Sequence, residues 1–370
     1  MKIGLVLDTT LDSDAGVQQY FKGLARFLIS KGHHIKFLVP PSQNNKEFKD
    51  RIVSFGKEIV LKGNANTVRT VIFTRKSKIR RVLKKEQFDV LNIAAPFSPF
   101  LGAKILREAN CPIVSTYLVY GKSFFNRIGG LFLKIVLGGV YRRIDSFIAV
   151  SDAAEREARV VIPGDYKLIP IGINLDKYNE GVESIRKYSN DGMKNIVSLG
   201  RFEKRKGQIY LVRAFKKVKK VVKNARLILI GDGPEKKKIK KAIDNLALDD
   251  VVLTGYIPER LKSNYYASAD LCVFPSLYGE SFGVVLIEAM ASGKATVTYA
   301  NKGYRYVLRD IPDLLVENKN IDKLAEKIID LLQDDKLRKE CENRCLQEVK
   351  KFSWKNVGEE ILKEYRRVIT

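Results

Sequence analysis

Two separate runs of alternating apolar strand and amphipathic helix constrain this chain more than any other feature. Residues 3–7 form an apolar run that reads as a buried strand, and a loop then carries the chain to Ala15. From Gly16 the apolar positions Val17, Tyr20, Phe21, Leu24, Phe27 and Leu28 recur at the spacing of one helix face. Gly32 ends that helix, and residues 35–39 read as a second strand. A strand, a helix and a strand in this order make a parallel pair, so a doubly wound α/β domain is expected. Further strands are read at 90–93, 113–116 and 147–150. A second run opens near Lys194, with strands at 196–199, 227–230, 251–253, 271–274 and 295–298. The 370 residues exceed one ordinary core. Two Rossmann-like domains facing across a cleft are therefore expected, with ligands at the carboxyl ends of the strands. Pro163 and Gly164, then Pro170, Ile171 and Gly172, mark the hinge between them.

Hydrophobic residues at 45% and charged residues at 29% describe a soluble globular chain. Residues 1–7 are too short an apolar run for a signal peptide, and no stretch is long enough to span a membrane, so a cytoplasmic protein is expected. Cys111, Cys272, Cys341 and Cys345 form no disulfide framework, and no histidine completes a zinc site beside them. They read as reduced structural thiols. The net charge of +25 asks for an acidic partner: nucleic acid, an anionic membrane or a phosphorylated substrate.

The densest chemistry lies in residues 275–290. Glu280 and Glu288 are separated by seven residues that include Gly283, and Glu288 interrupts an otherwise uncharged apolar run from Val284 to Ala291. A carboxylate on a buried helix costs several kcal/mol unless something pairs with it. Ribose hydroxyls are suitable partners, and the free N–H groups of Gly283, Val284 and Val285 at the helix start suit a phosphate. After the strand that opens the second run comes a basic turn, residues 200–207, where Arg201 and Lys206 are placed to clamp a diphosphate. Glu280 and the 283–285 amides would close it from the other side.

These residues resemble the large retaining GT-B glycosyltransferase family whose signature is two glutamates with seven residues between them. The similarity extends along almost the whole chain, through residues 14–18, 169–173 and 231–234. Within that family it is most similar to bacterial phosphatidylinositol mannosyltransferases, on the opening loop, the basic stretch before Phe88 and residues 304–308. The resemblance implies that Glu288 holds the ribose hydroxyls and that Glu280 faces the donor sugar. It implies that Arg201 and Lys206 neutralise the leaving diphosphate, and that Gly16, Gly283, Val284 and Val285 cradle the phosphates. It also implies retention without a covalent intermediate, with electrostatic stabilisation of the leaving group as the main catalytic effect. The domains it implies are 1–168 for the acceptor, 169–352 for the nucleotide sugar, and a C-terminal helix from 353 to 370 packing back on the first.

One departure stands out. The family commonly carries a histidine after the strand ending at Tyr117, where this chain has Leu118. The only histidines, His33 and His34, sit at a helix-to-strand turn and read as surface residues. Sugar recognition then passes to Tyr117, Tyr120 or Asn92, or activity is weak or lost. Asp12, Ser13 and Asp14 resemble a metal-binding pair but lack a third ligand, and read as a turn and helix cap. No metal or other cofactor is called for.

Residues 75–85 hold seven basic residues and no acid, with Ile72, Ile79, Val82 and Leu83 on one face. The segment reads as a cationic amphipathic helix suited to anionic lipid. Arg69, Arg75, Lys76, Lys78, Arg80 and Arg81 are the candidate acceptor and membrane residues, and residues 122–127 are a candidate assisting loop. The basic runs 216–223 and 236–241 read as solvated helix faces, and without interleaved aromatics nucleic acid is not the expected partner. The leading reading is a peripheral enzyme of the inner membrane face, moving mannose from GDP-mannose to a phosphatidylinositol-like lipid. UDP-glucose or UDP-N-acetylglucosamine with another acceptor is one alternative, and a silent nucleotide-sugar or membrane binder is another. A dinucleotide oxidoreductase is not expected, because the loop after the first strand lacks the glycine pattern that seats a pyrophosphate.

Overall fold

The structure, a computed structural model, describes residues 1–13, 15–62, 67–95, 99–119 and 138–370. Asp14, Tyr120, residues 122–127 and the side chain of Arg69 lie outside the described residues. The chain divides into two compact units, one of residues 1–172 with 354–370 and the other of residues 173–353.

The strands in chain order are β1 (Lys2–Val6), β2 (His34–Val39), β3 (Ile52–Ser54), β4 (Lys57–Lys62), β5 (Thr67–Ile72), β6 (Val90–Ala95), β7 (Ile113–Tyr117), β8 (Ser146–Ala149) and β9 (Tyr166–Leu168). Those of the second unit are β10 (Lys194–Leu199), β11 (Ala225–Ile230), β12 (Val251–Gly255), β13 (Leu271–Phe274), β14 (Thr296–Tyr299) and β15 (Leu315–Val316). The first unit carries a seven-stranded parallel sheet ordered β3-β2-β1-β6-β7-β8-β9. The second carries six parallel strands ordered β12-β11-β10-β13-β14-β15. The central strands are buried on both faces (Leu271, Cys272 and Val273 are each 0% exposed), which is why they read as unbroken apolar runs. Strand order reverses beside β1 in one sheet and beside β10 in the other. Such switch points open a crevice at the carboxyl ends of the strands.

In the first unit the helix Gly16–Ser30 follows β1 with Ala15 at its N-cap. Ala15 has no capping side-chain bond, and Asp12 accepts from the amides of Gln43 and Asn44, so the expected capping role does not hold for Asp12. The helix Trp354–Ile369 belongs to this unit and packs on Gly16–Ser30. Glycines make the fit: a Cβ on Gly23 or on Gly172 would lie 2.5 Å from the Trp354 indole. Two polar anchors reinforce it. Asn92 on β6 donates to Tyr365 Oη at 2.6 Å and accepts from Thr116 at 2.9 Å. Glu364, buried, accepts from Ser146 Oγ at 2.5 Å and pairs with Lys167 and Arg367. Asn92 is thus a fully buried structural residue with both ends of its amide engaged, which removes it from the candidate sugar contacts.

An antiparallel hairpin of β4 and β5 precedes the basic helix, which spans Lys76–Glu86. Ile72 therefore ends a strand rather than lying on the helix face. The break comes at Phe73, whose φ of 58° turns the backbone into the left-handed region before Arg75 caps the helix. Ile79 is wholly buried and Val82 and Leu83 partly so, and the helix packs on Gly102–Glu108. Its apolar stripe faces the protein, while Lys76, Lys78, Arg80, Arg81, Lys84 and Lys85 face solvent.

Candidate active site

The strongest constellation lies in the second unit, on the loops that leave β10 and β13, the neighbouring strands at its switch point. After β10 the chain runs through Arg201, Phe202 and Glu203 into a short turn, Lys204–Lys206, and then the helix Gln208–Val221. Phe202 is fully buried and fixes this loop: its N–H donates to Asp232 O and its carbonyl accepts from Glu235 N, both at 2.9 Å. Gly207, with φ 69°, lets the loop press on the one after β13, since a Cβ there would sit 2.1 Å from Pro275 O. Leu277 N donates to Arg205 O across the same junction at 2.8 Å.

The two loops bring five charged side chains into a row. Glu280 Oε1 accepts from Lys206 Nζ at 2.7 Å, Arg205 Nη1 at 2.9 Å and Ser276 Oγ at 3.0 Å. Arg205 Nε reaches Glu203 at 2.8 Å, and Arg201 Nε reaches the other Glu203 oxygen at 3.2 Å. Three cations thus face two carboxylates, leaving one positive charge over. Lys206 and Glu280 are largely shielded, whereas the Arg201 side chain is 75% exposed.

Just beyond Glu280, Gly283 (φ 123°) starts the helix Val284–Ala291, whose first turn has no side-chain cap. Its leading amides keep their anion-binding capacity. Tyr304 lies so close beneath that a Cβ on Gly283 would be 2.7 Å from its ring.

Glu288 stands within that helix, buried, and its carboxylate is met by protein groups. Tyr266 Oη donates to Oε2 at 3.0 Å, Tyr178 Oη donates to Oε1 at 3.1 Å, and Lys262 Nζ stands 3.5 Å from Oε1. Glu259 completes the cluster, pairing with Lys262 at 2.7 Å and Lys177 at 2.8 Å. Burial first, then the Glu288 charge, pushes the Tyr178 and Tyr266 phenols up, so both stay protonated donors. Burial pulls the Lys262 ammonium down, but the Glu288 and Glu259 carboxylates override it and the net shift is upward. Burial also raises Glu259, and Lys262 with Lys177 reverses this to hold it below its ordinary value. Every member of the cluster has a partner of the right kind.

Comparison with known proteins decides the family. Residues 183–347 match the family described as Glycosyl transferases group 1, and residues 15–177 match Glycosyltransferase Family 4. The chain is 30% identical to the phosphatidyl-myo-inositol mannosyltransferase of Mycolicibacterium smegmatis, over 100% of this chain and 94% of that protein. It is also 30% identical to the Mycobacterium leprae protein of the same name, over 100% and 98%. The chain belongs to the group 1 glycosyltransferases.

This glycosyltransferase is also 26% identical to the alpha-monoglucosyldiacylglycerol synthase of Streptococcus pneumoniae, over 84% of this chain and 74% of that one. Among solved structures, a Rickettsia africae glycosyltransferase superposes with a TM-score of 0.78 at 18% identity, covering 100% and 98%. Anabaena HepE, in complex with UDP and glucose, gives 0.75 at 16%, covering 99% and 100%. These likenesses concern the fold, which is GT-B.

Of the residues singled out from sequence, the structure of the glycosyltransferase gathers Lys206 and Glu280 in one ion-pair row, with Arg201 at its outer end. Gly283, Val284 and Val285 open the adjoining helix, and Glu288 lies further along it. In the other unit Gly16 is the exposed first residue of its helix, and a Cβ there would meet nothing within 4 Å. Sequence reasoning missed Arg205, Tyr178, Tyr266 and Lys262. Arg205 was visible only as one member of a basic run, and no local pattern marks the other three, since they meet Glu288 from distant or unremarkable positions. Tyr117 and Leu118 are both buried, at 3% and 7% exposure, at the end of β7.

Proposed function

We propose that this glycosyltransferase moves a hexose from a nucleoside diphosphate sugar to a membrane lipid headgroup, with retention of anomeric configuration. The observation that carries the reading is the convergence of Arg205, Lys206 and Ser276 on Glu280 beside an uncapped helix start. A diphosphate leaving group needs positive charge already in place where its own charge develops, and a row with one surplus cation supplies it. Arg201 would close on the phosphates, and Lys206 would shift between Glu280 and the departing oxygen. Glu280 would face the sugar and Glu288 the ribose. Gly16, at an uncrowded helix start, suits close approach of a phosphate. The leaving phosphate itself would take the acceptor proton.

Mannose and a phosphatidylinositol acceptor are favoured by the two full-length relatives named phosphatidyl-myo-inositol mannosyltransferase, and GDP-mannose is the donor we propose with them. Glucose and a diacylglycerol acceptor are favoured instead by the alpha-monoglucosyldiacylglycerol synthase likeness, with a UDP-sugar as the alternative donor. Among the described residues no helix is long and apolar enough to cross a membrane. Contact with the inner face of the cell membrane would be peripheral, through the solvent side of Lys76–Glu86 with Arg75, Lys76, Lys78, Arg80 and Arg81, and through Arg69 on β5. Arg80 is partly committed to Glu108, so the other cations carry more of that attraction. Phe73, 81% exposed beside them, would add an apolar contact.

The test has two arms. A thermal-shift panel of GDP, UDP and ADP fixes the base by which one stabilises the fold. Labelled donor with phosphatidylinositol vesicles then reads transfer, and NMR of the product reads its anomeric configuration. Nucleotide binding with no transfer to any lipid extract would establish the silent binder, for which Leu118 is the motive. An inverted product would remove the retaining mechanism.

A further inference from the structure

The pairing of a buried carboxylate with two buried phenols points beyond the assignment of Glu288 itself. A carboxylate accepts about four hydrogen bonds. Tyr178 takes one direction on Oε1 and Tyr266 one on Oε2, from two different elements of the same unit. Tyr266 lies on the helix Lys262–Ala267, and Tyr178 follows the short turn Leu175–Lys177. The rings are 6.2 Å apart and tilted by 59°, and because each phenol holds a different oxygen the two restrain rotation of the carboxylate plane. Lys262 is the loosest partner at 3.5 Å and is held more closely by Glu259 at 2.7 Å. Among the described contacts Oε2 accepts from Tyr266 alone, one of about two bonds such an oxygen can take, and the Lys262 contact on Oε1 is long.

From this geometry we infer that Tyr178 and Tyr266 are positioning residues that orient the Glu288 carboxylate toward a cis-diol, so that the site selects ribonucleotides over deoxyribonucleotides. The inference rests on reading Glu288 as the ribose acid. Neutral donors suit this work, because they fix the carboxylate without cancelling its charge, and a full negative charge strengthens the bonds from ribose hydroxyls. A tight ion pair in their place would compete with the ligand.

The experiment measures calorimetric affinities of GDP and UDP, each with its 2′-deoxy and 3′-deoxy counterpart, for the wild-type chain, Tyr178→Phe, Tyr266→Phe and Glu288→Gln. Thermal melts show that each variant is folded. Wild type is expected to favour the ribo form by roughly tenfold or more, the size of one hydrogen bond to a charged group. Glu288→Gln should remove most of that preference, and each tyrosine variant should reduce it severalfold, raising donor KM with little change in kcat. If Glu288→Gln keeps the wild-type preference, the ribose reading itself fails. If Glu288→Gln loses it while both tyrosine variants keep it, the ribose reading stands and the positioning role is overturned. Should Tyr266→Phe fail to fold, Tyr178→Phe decides alone.

Discussion

Glu280 and Glu288 lie eight positions apart on one strand-to-helix connection, yet their surroundings are opposite in kind. Glu280, half-buried, is held by an ammonium and a guanidinium on long side chains and by the buried Ser276 hydroxyl. Glu288 is held by two phenols inside the core, with a lysine at a longer distance. Cations on long side chains can redistribute when another anion arrives, because their stems rotate and their charge is not spent on one partner. Buried phenols cannot. The first carboxylate sits in a charge reservoir and the second in a fixed cage, and each arrangement suits a different part of one ligand: a part whose charge changes during reaction, and a part that is only held.

The largest effect that would break this contrast is loss of the reservoir. Lys206→Ala and Arg201→Ala are each expected to lower kcat by about 10²–10³, the typical result of removing one donor to a developing anion. Neither should unfold the unit. Arg201 is mostly exposed, and Glu280 keeps Arg205 and Ser276 when Lys206 is gone. Steady-state turnover with a thermal melt checks both, and near-normal rates in folded protein would return this row to a structural role. Arg205→Ala should come next, roughly tenfold, because Arg205 bridges Glu203 and Glu280 and its loss takes one cation partner from each.

The helix start between the two acids gives a sharper test. Gly283→Ala forces φ 123° on a residue with a side chain and drives its Cβ to 2.7 Å from Tyr304, which is itself buried and hydrogen-bonded to Ser276. A loss of roughly 1–3 kcal/mol in stability is expected, with weaker nucleotide binding as the first turn shifts. Denaturant unfolding beside calorimetry would show both. Unchanged stability would mean the loop relaxes freely and the helix start is not fixed in place.

How much of this was legible beforehand follows from the range of the interactions. The inner strands of both parallel sheets showed in the sequence because each is its own apolar run, whereas the short edge strands β3, β9 and β15 did not, and the uncharged run from Val284 to Ala291 marked the helix there. The hairpin of β4 and β5 was missed because its strands mix lysine, threonine and arginine with valine and isoleucine, and its pairing leaves no apolar run like those of the parallel strands. Ile72 was misplaced for the same reason: its spacing to Ile79 fits a helix, and only the left-handed Phe73 breaks it. Asn92 looked like a candidate sugar contact, but its partner Tyr365 lies 273 positions away on the last helix. The Glu288 cage was equally hidden, for Tyr178 is 110 positions upstream. Local pattern reveals elements and their termini; polar partnerships across elements need the fold.

A third carboxylate, the buried Glu364, sharpens the contrast from the other unit and yields the smallest effect. It resembles Glu288 in burial but Glu280 in its partners, Lys167, Arg367 and Ser146. Burial raises its pKa, and Arg367, Lys167 and Ser146 together reverse this, bringing it from 4.5 down to about 2. A folded value below the unfolded one means that ionised Glu364 stabilises the fold fully above about pH 5. That contribution declines as the pH falls from 4.5 toward 2. Both cations are about half exposed, so solvent screening reduces the gain to roughly 1–2 kcal/mol. Glu364→Gln should therefore destabilise the chain by that amount at pH 7 and flatten the acid limb of its stability curve between pH 5 and 3. If the variant and the wild type lose stability in parallel over that interval, Glu364 is not the group that titrates. The C-terminal helix would then be held by Trp354 and the Asn92 contact instead.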